Sequence, residues 1–171
     1  MKDLGLWLLI GVGALAIAAG LFGFGDPDPE LAPAFSLVSL DGEIVSLSDF
    51  SGQVVLLDFW ASWCKPCRAT FPAVHALAEE FADQGLKLLV VSLDASAEAS
   101  REELLANDFP TDNVLWGSLS EARAVRNLYG VVGIPRTFLI DREGLIRFDG
   151  YPRNLTAADI EPWLQAGPDN P

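Results

Sequence analysis

The sequence predicts an α/β domain in which helices flank a mixed β-sheet. Two nearly continuous apolar runs, residues 54–60 and 86–93, indicate strands that are buried on both faces of a sheet. Residues 64–84, between them, carry apolar side chains at helical spacing, with Gly85 as the stop. A strand, a helix and a strand at this separation predict a right-handed parallel βαβ unit.

Hairpins on both sides of this unit make the predicted sheet mixed. The dipeptide Asp41-Gly42 lies between two alternating runs, which is a strong signal for a hairpin near the start of the domain. A second pair of runs surrounds residues 142–144 and predicts another hairpin near its end.

Three further helices are predicted. The polar segment 94–113 contains a short helical pattern and reads as a central helical insertion. Ser118 and Glu121 have the spacing of a capping box and predict the start of the next helix. A last helix over residues 156–165 contains Pro162, which predicts a kink or a broken turn.

The N-terminal segment predicts a transmembrane helix. Residues 4–25 carry no charge, and as a helix they would be about 33 Å long, enough to cross a bilayer core. Lys2 favours a cytoplasmic N-terminus, with the domain on the extracytoplasmic face. We therefore predict an anchor over residues 1–25, a Pro- and Asp-rich linker over 26–33, and the domain over 34–167.

The alternative for this segment is a cleaved signal peptide. The triplets ALA at 14–16 and AIA at 16–18 resemble cleavage sites, but the apolar run continues past both. The length of the run favours the uncleaved anchor, and the domain is exported in either case.

Charge excludes one class of partner. The 171-residue chain has 24 acidic and 11 basic residues, for a formal net charge of −13. No basic cluster occurs along it, whereas proteins that bind nucleic acids gather Lys and Arg against the phosphates. We therefore expect no nucleic-acid partner.

The two cysteines, Cys64 and Cys67, both lie in the segment FWASWCKPCRATFP. A disulfide that closes so short a loop would stabilise the fold by only about 2 kcal/mol. For zinc the pair supplies two ligands of four, and the one histidine, His75, would lie roughly 12 Å away along the helix. Neither a structural staple nor a zinc site explains this spacing well.

Redox chemistry does explain it. At a helix N-terminus the first amides and the helix dipole favour the thiolate of an exposed Cys64, and Lys65 and Arg68 add positive charge. Pro66 falls in the first turn, where its missing N–H costs nothing. Cys67, one turn inside the helix, can attack once Cys64 is joined to a partner in a mixed disulfide.

Asp58 is the one acid within the apolar run 54–60. A carboxyl group buried in such a strand should have a raised pKa and be protonated near neutrality. The alternative is a structural acid whose hydrogen bonds are all satisfied.

Two segments together resemble the thioredoxin superfamily. VVLLDFWASWCKPC is similar to the thioredoxin active-site strand and turn, and GIPRTFLID at 133–141 is similar to the proline loop. The leading hairpin, the insertion at 94–113 and the predicted anchor narrow the resemblance to the TlpA/ResA/CcmG-like branch. That branch comprises membrane-anchored, extracytoplasmic thiol-disulfide oxidoreductases, so the resemblance implies a thioredoxin fold.

The resemblance also implies roles for site residues. Cys64 would be the nucleophile and Cys67 the resolving thiol, while Trp63 would shield the pair and contribute to docking. Pro135 would be cis and would place the backbone of Ile134 beside the sulfurs, where it could pair with an extended substrate segment.

Asp58 matches the buried acid that handles the proton of the inner cysteine in thioredoxins. Many relatives in the anchored branch have asparagine at this position, so the chain departs from them toward thioredoxin.

The function implied is reduction of disulfides in exported proteins, in cytochrome c maturation or in assembly of a cysteine-rich metal site. A membrane electron-transfer protein would supply the electrons, and no prosthetic group is implied because the cysteine pair carries two electrons.

Two alternatives remain. One is a peroxiredoxin-type thiol peroxidase. That class has threonine at the position of Ala61, so Ala61 counts against this alternative. The other is a copper metallochaperone, for which ligands are scarce because Met1 is the one methionine.

Overall fold

The computed structural model of the chain describes residues 29–165. The predicted anchor over residues 1–25 and the start of the predicted linker lie outside these residues. Within the described range, no helix is both long and apolar enough to cross a membrane.

Seven strands and four α-helices make up the described part of the chain. The strands are β1 (Ser36–Ser39), β2 (Ile44–Ser46), β3 (Val54–Trp60), β4 (Leu86–Ser92), β5 (Val114–Trp116), β6 (Arg136–Ile140) and β7 (Ile146–Gly150). The helices are α1 (Lys65–Glu80), α2 (Ala97–Ala106), α3 (Leu119–Leu128) and α4 (Ala157–Gln165).

The strands form one mixed sheet in the order β2-β1-β5-β4-β3-β6-β7. β3 pairs parallel with β4, and β4 with β5, while the remaining neighbours are antiparallel. All seven residues of β3 are buried, as its continuous apolar pattern predicts. The predicted α/β class, the βαβ unit and both hairpins are therefore confirmed.

Strand β5 was not predicted from the sequence. Its three residues are too few to show a period, and they follow the polar insertion. In the sheet β5 joins the N-terminal hairpin to the βαβ unit, because it pairs with β4 on one side and with β1 on the other.

The predicted linker is partly folded onto the domain. Ala32 donates its N–H to the carbonyl oxygen of Gly144 at 2.9 Å, and Ile146 donates to Glu30 at 2.8 Å. The folded unit therefore begins before the predicted boundary at residue 34, because these backbone groups complete hydrogen bonds at the second hairpin.

The helix boundaries follow the sequence signals with small differences. The first helix ends at Glu80, and a 3-10 turn then leads to Gly85, whose φ of 95° suits glycine. The capping box of Ser118 and Glu121 is formed at the start of α3. α4 continues through Pro162 without the predicted break, because burial of its apolar face holds the helix against the core.

Candidate active site

The site is built where β3 ends and α1 begins. Cys64 is the N-cap residue of α1, and its Sγ accepts a hydrogen bond from the N–H of Cys67 at 3.2 Å. The two cysteines form a disulfide with an S–S distance of 2.00 Å. Pro66 lies in the first turn of the helix, where the sequence pattern predicts it.

The prediction that Cys64 is exposed is wrong for this disulfide state. Its residue is 5% exposed, and Cys67 is 1% exposed. The carbonyl oxygen of Ile134 lies 3.8 Å from the Sγ of Cys64, so the proline loop covers this sulfur. The Ile134-Pro135 peptide bond of that loop is cis.

A cavity of about 500 Å³ opens beside the disulfide. Cys64, Lys65 and Pro66 line it on one side, and the loop that contains Ile134 lines it on the other. Trp63 also lines the cavity and is 66% exposed, so its indole presents a large apolar surface to solvent. An extended peptide segment could approach the disulfide through this opening.

Asp58 lies in the middle of β3, and its residue is 2% exposed. Burial raises the pKa of its carboxyl group from 3.8 to about 7, and a hydrogen bond from Thr137 opposes the rise. Thr137 is the residue that pairs with Asp58 across β3 and β6, and its hydroxyl donates to Oδ1 at 2.6 Å. The predicted rise in pKa is confirmed.

Arg136, directly after the cis proline, pairs with a carboxylate. Its Nη2 donates to Oδ2 of Asp149 at 2.7 Å, and its Nε donates to the other oxygen of the same group. The guanidinium is thus bound to β7 by a two-point ion pair.

Asp94, which sequence reasoning missed, anchors the loop that precedes Cys64. This buried carboxylate accepts from the N–H of Ser62 at 3.0 Å and from its hydroxyl at 2.7 Å. The hydroxyls of Ser92 and Ser100 donate to the same carboxylate at 3.0 and 2.8 Å. The signal in the sequence was a lone acid just after β4, which is buried and ends at the same edge of the sheet as β3.

Replacing Asp94 with alanine should lower the free energy of unfolding by about 3 kcal/mol. The change removes the acceptor of the part-buried Ser62 amide and hydroxyl, and it leaves the buried hydroxyls of Ser92 and Ser100 with only each other as acceptors. Urea unfolding of the oxidised chain measures this loss. The matched control is Asp112→Ala, at an exposed acid, and equal losses in the two variants would contradict this stabilising role of Asp94.

The described residues do not assemble a metal site. Nowhere within 29–165 do three or more His, Cys, Asp or Glu side chains approach closely enough to hold an ion. His75 instead lies beside Glu79 on α1, with 3.6 Å between Nδ1 and Oε2.

Comparison with known proteins identifies the family. Residues 30–149 match the model of the AhpC/TSA family. The chain belongs to the AhpC/TSA family. The matched range contains the disulfide, Asp58 and the proline loop, so the family assignment includes the whole site described above.

Within the AhpC/TSA family, the chain is similar to named thiol-disulfide proteins. It is 35% identical over 137 residues to the thioredoxin-like protein YneN of Bacillus subtilis, covering 80% of this chain and 78% of the relative. It is 33% identical over 135 residues to the thiol-disulfide oxidoreductase ResA of Geobacillus kaustophilus, covering 79% and 75%.

A solved structure of a thiol-disulfide protein is also similar to this chain. A crystal structure of a protein assigned as the thiol:disulfide interchange protein DsbE of Chlorobium tepidum superimposes with a TM-score of 0.70 at 34% identity. The match covers 82% of this chain and 99% of that one. With the Cys64–Cys67 disulfide, these similarities identify the chain as a thioredoxin-like thiol-disulfide oxidoreductase.

Proposed function

We propose that this oxidoreductase reduces disulfide bonds in exported proteins, held on the extracytoplasmic face of the cytoplasmic membrane by residues 4–25. The observation that carries the proposal is the disulfide at the N-terminus of α1, beside an open cavity and the backbone of Ile134. The clients would be apocytochromes c or proteins with a cysteine-rich metal site. A membrane electron-transfer protein would restore the reduced pair, because an oxidising compartment favours the disulfide and would not reduce it.

The first chemical step joins the client to Cys64. The Cys64 thiolate attacks one sulfur of the client disulfide, the client S–S bond breaks, and its other sulfur leaves as a thiolate. The N–H of Cys67, directed at the Sγ of Cys64, and the helix dipole stabilise the attacking thiolate. Lys65 adds a positive charge at the adjacent position.

The second step releases the client. The thiol of Cys67 loses its proton, and the thiolate attacks the Sγ of Cys64, breaks the mixed disulfide and expels the second client sulfur as a thiolate. Two electrons have then passed to the client, and Cys64–Cys67 is oxidised. Asp58 is the proposed acceptor of the proton, because a carboxyl with a pKa of about 7 can take up and return a proton near neutrality.

The proline loop would hold the client in place. No residue among 29–165 is hydrogen-bonded to the N–H of Ile134, so this group is free to pair with an extended client segment. Pro135 directly follows Ile134, whose carbonyl oxygen lies 3.8 Å from the Sγ of Cys64, and Trp63 would provide apolar contact at the rim of the cavity.

A single-turnover reaction tests the proposal. The reduced full chain, in mild detergent, is mixed with a peptide that contains one intramolecular disulfide. We expect two peptide thiols to appear for each chain oxidised, and Cys64→Ser to be inert. Rapid oxidation of the pair by hydrogen peroxide, with no reaction toward the peptide, would contradict it and favour the peroxidase alternative.

A further inference from the structure

The cavity beside the disulfide has an unusual charge for this chain. Lys65, Arg123 and Arg126 line it, and no Asp or Glu among residues 29–165 does. The chain as a whole has 24 acidic residues against 11 basic ones. The three cations come from the start of α1 and from one face of α3, so folding gathers charges that are scattered in the sequence.

The cations at the cavity form no ion pairs with carboxylates within residues 29–165. Neither Lys65 nor Arg123, both exposed, has a carboxylate within ion-pair distance in the described part of the chain. Elsewhere four arginines do pair with carboxylates, namely Arg68, Arg101, Arg136 and Arg147. An anionic ligand at the cavity would therefore reduce the repulsion between these like charges.

Arg126 is held in place by the loop that leads to Ile134. Its Nε donates to the carbonyl oxygen of Val131 and its Nη2 to that of Val132, both at 2.7 Å. The remaining guanidinium nitrogen, Nη1, has no hydrogen-bond partner within residues 29–165. A fixed arginine loses little conformational entropy when it binds a carboxylate.

Apolar groups accompany the cations around the opening. Val132 is 95% exposed and Trp63 is 66% exposed, and both line the same cavity. Exposed large apolar side chains beside unpaired charges are typical of a surface that contacts another protein.

We propose that this surface selects clients whose reactive cysteine is flanked by acidic side chains. The client segment would place its sulfur at Cys64, its carboxylates at Arg123, Arg126 and Lys65, and an apolar side chain against Trp63. The proposal rests on the proposed disulfide exchange and names its substrate class. At physiological salt the screening length is about 8 Å, so the cations that line the cavity act most strongly on a client segment bound within it.

Three disulfide peptides test this selectivity. They share one sequence, except that two residues beside a cysteine are acidic, neutral amide or basic. The reduced full chain reacts with each, and every rate is divided by the rate of the same peptide with dithiothreitol, which removes intrinsic reactivity. We expect the acidic peptide to react about tenfold faster than the basic one at low salt, with the ratio falling toward one at high salt.

A pair of charge-reversal variants locates the effect. Arg123→Glu should abolish or invert the preference for the acidic peptide. Lys87→Glu makes the same change in net charge near the start of β4. It lies about 17 Å from Ser92, the last residue of that strand, and this variant should retain the preference.

Equal normalised rates for the three peptides would overturn this inference alone. Equal losses of selectivity in Arg123→Glu and Lys87→Glu would also overturn it, since net charge would then explain the effect. If the reduced chain reacts with none of the peptides, the proposed function fails and the inference fails with it.

Discussion

Replacing Cys67 with serine should trap the client on Cys64. The first attack needs only Cys64, whereas release needs the thiolate of Cys67, three positions away and already within disulfide distance. Because an intramolecular attack benefits from a high effective concentration, its loss should slow release at least about a thousandfold. Mass spectrometry under non-reducing conditions should show a one-to-one mixed disulfide with the peptide.

Cys64→Ser is the matched control for this experiment. It leaves the inner, 1% exposed Cys67 as the one thiol, and we expect no adduct. An adduct on Cys67 in Cys64→Ser, without one on Cys64 in Cys67→Ser, would contradict the assignment of nucleophile and resolving thiol.

Replacing Asp58 with asparagine should change how stability depends on pH. The folded chain holds a proton on Asp58 up to about pH 7, whereas the unfolded chain releases it near the ordinary value of 3.8. The contribution of this group to stability is therefore complete below about pH 4, falls as the pH rises to about 7, and is constant above that. The loss across this window is on the order of 4 kcal/mol.

Urea unfolding of the oxidised chain at several pH values measures this effect. Asp58→Asn should lack the decline between about pH 4 and 7 and should be the more stable protein at pH 8. Asp112→Asn, at an exposed acid, should follow the unmodified chain throughout. Parallel curves for Asp58→Asn and the unmodified chain would contradict the raised pKa.

The same substitution tests the proposed proton transfer. Asp58→Asn should slow release of the client about a hundredfold at pH 7 while leaving formation of the mixed disulfide nearly unchanged. Quenched-flow sampling separates the two steps. Slowing of both steps to the same extent would indicate a structural role for Asp58.

Local patterns in the sequence predicted the parts of the fold that depend on burial. The run 54–60 predicted a strand buried on both faces, and the acid within it predicted a raised pKa, because both follow from an apolar environment. The short strand β5 was missed because three residues carry no period, and its partners are distant in the sequence.

Features of the site that depend on long-range contacts could not be predicted. Cys64 is covered by Ile134, which lies 70 positions later, so its burial is invisible in the local motif. The cationic cavity likewise requires the start of α1 and one face of α3 to line the same opening, since Lys65 and Arg123 are far apart in the chain. Asp94 could have been proposed from its position after a strand, but its bonds to Ser62 depend on the fold.

Cys64 and Cys67 should form a reversible couple that delivers electrons to disulfides. The most direct measurement is its reduction potential, obtained by equilibrating the full chain with dithiothreitol or glutathione mixtures and counting free thiols. The chain has only two cysteines, so every thiol counted belongs to the pair. We expect a potential near that of thioredoxin, about −270 mV, whereas a value near −120 mV, at the oxidising end of such proteins, would contradict the proposed role as a reductant.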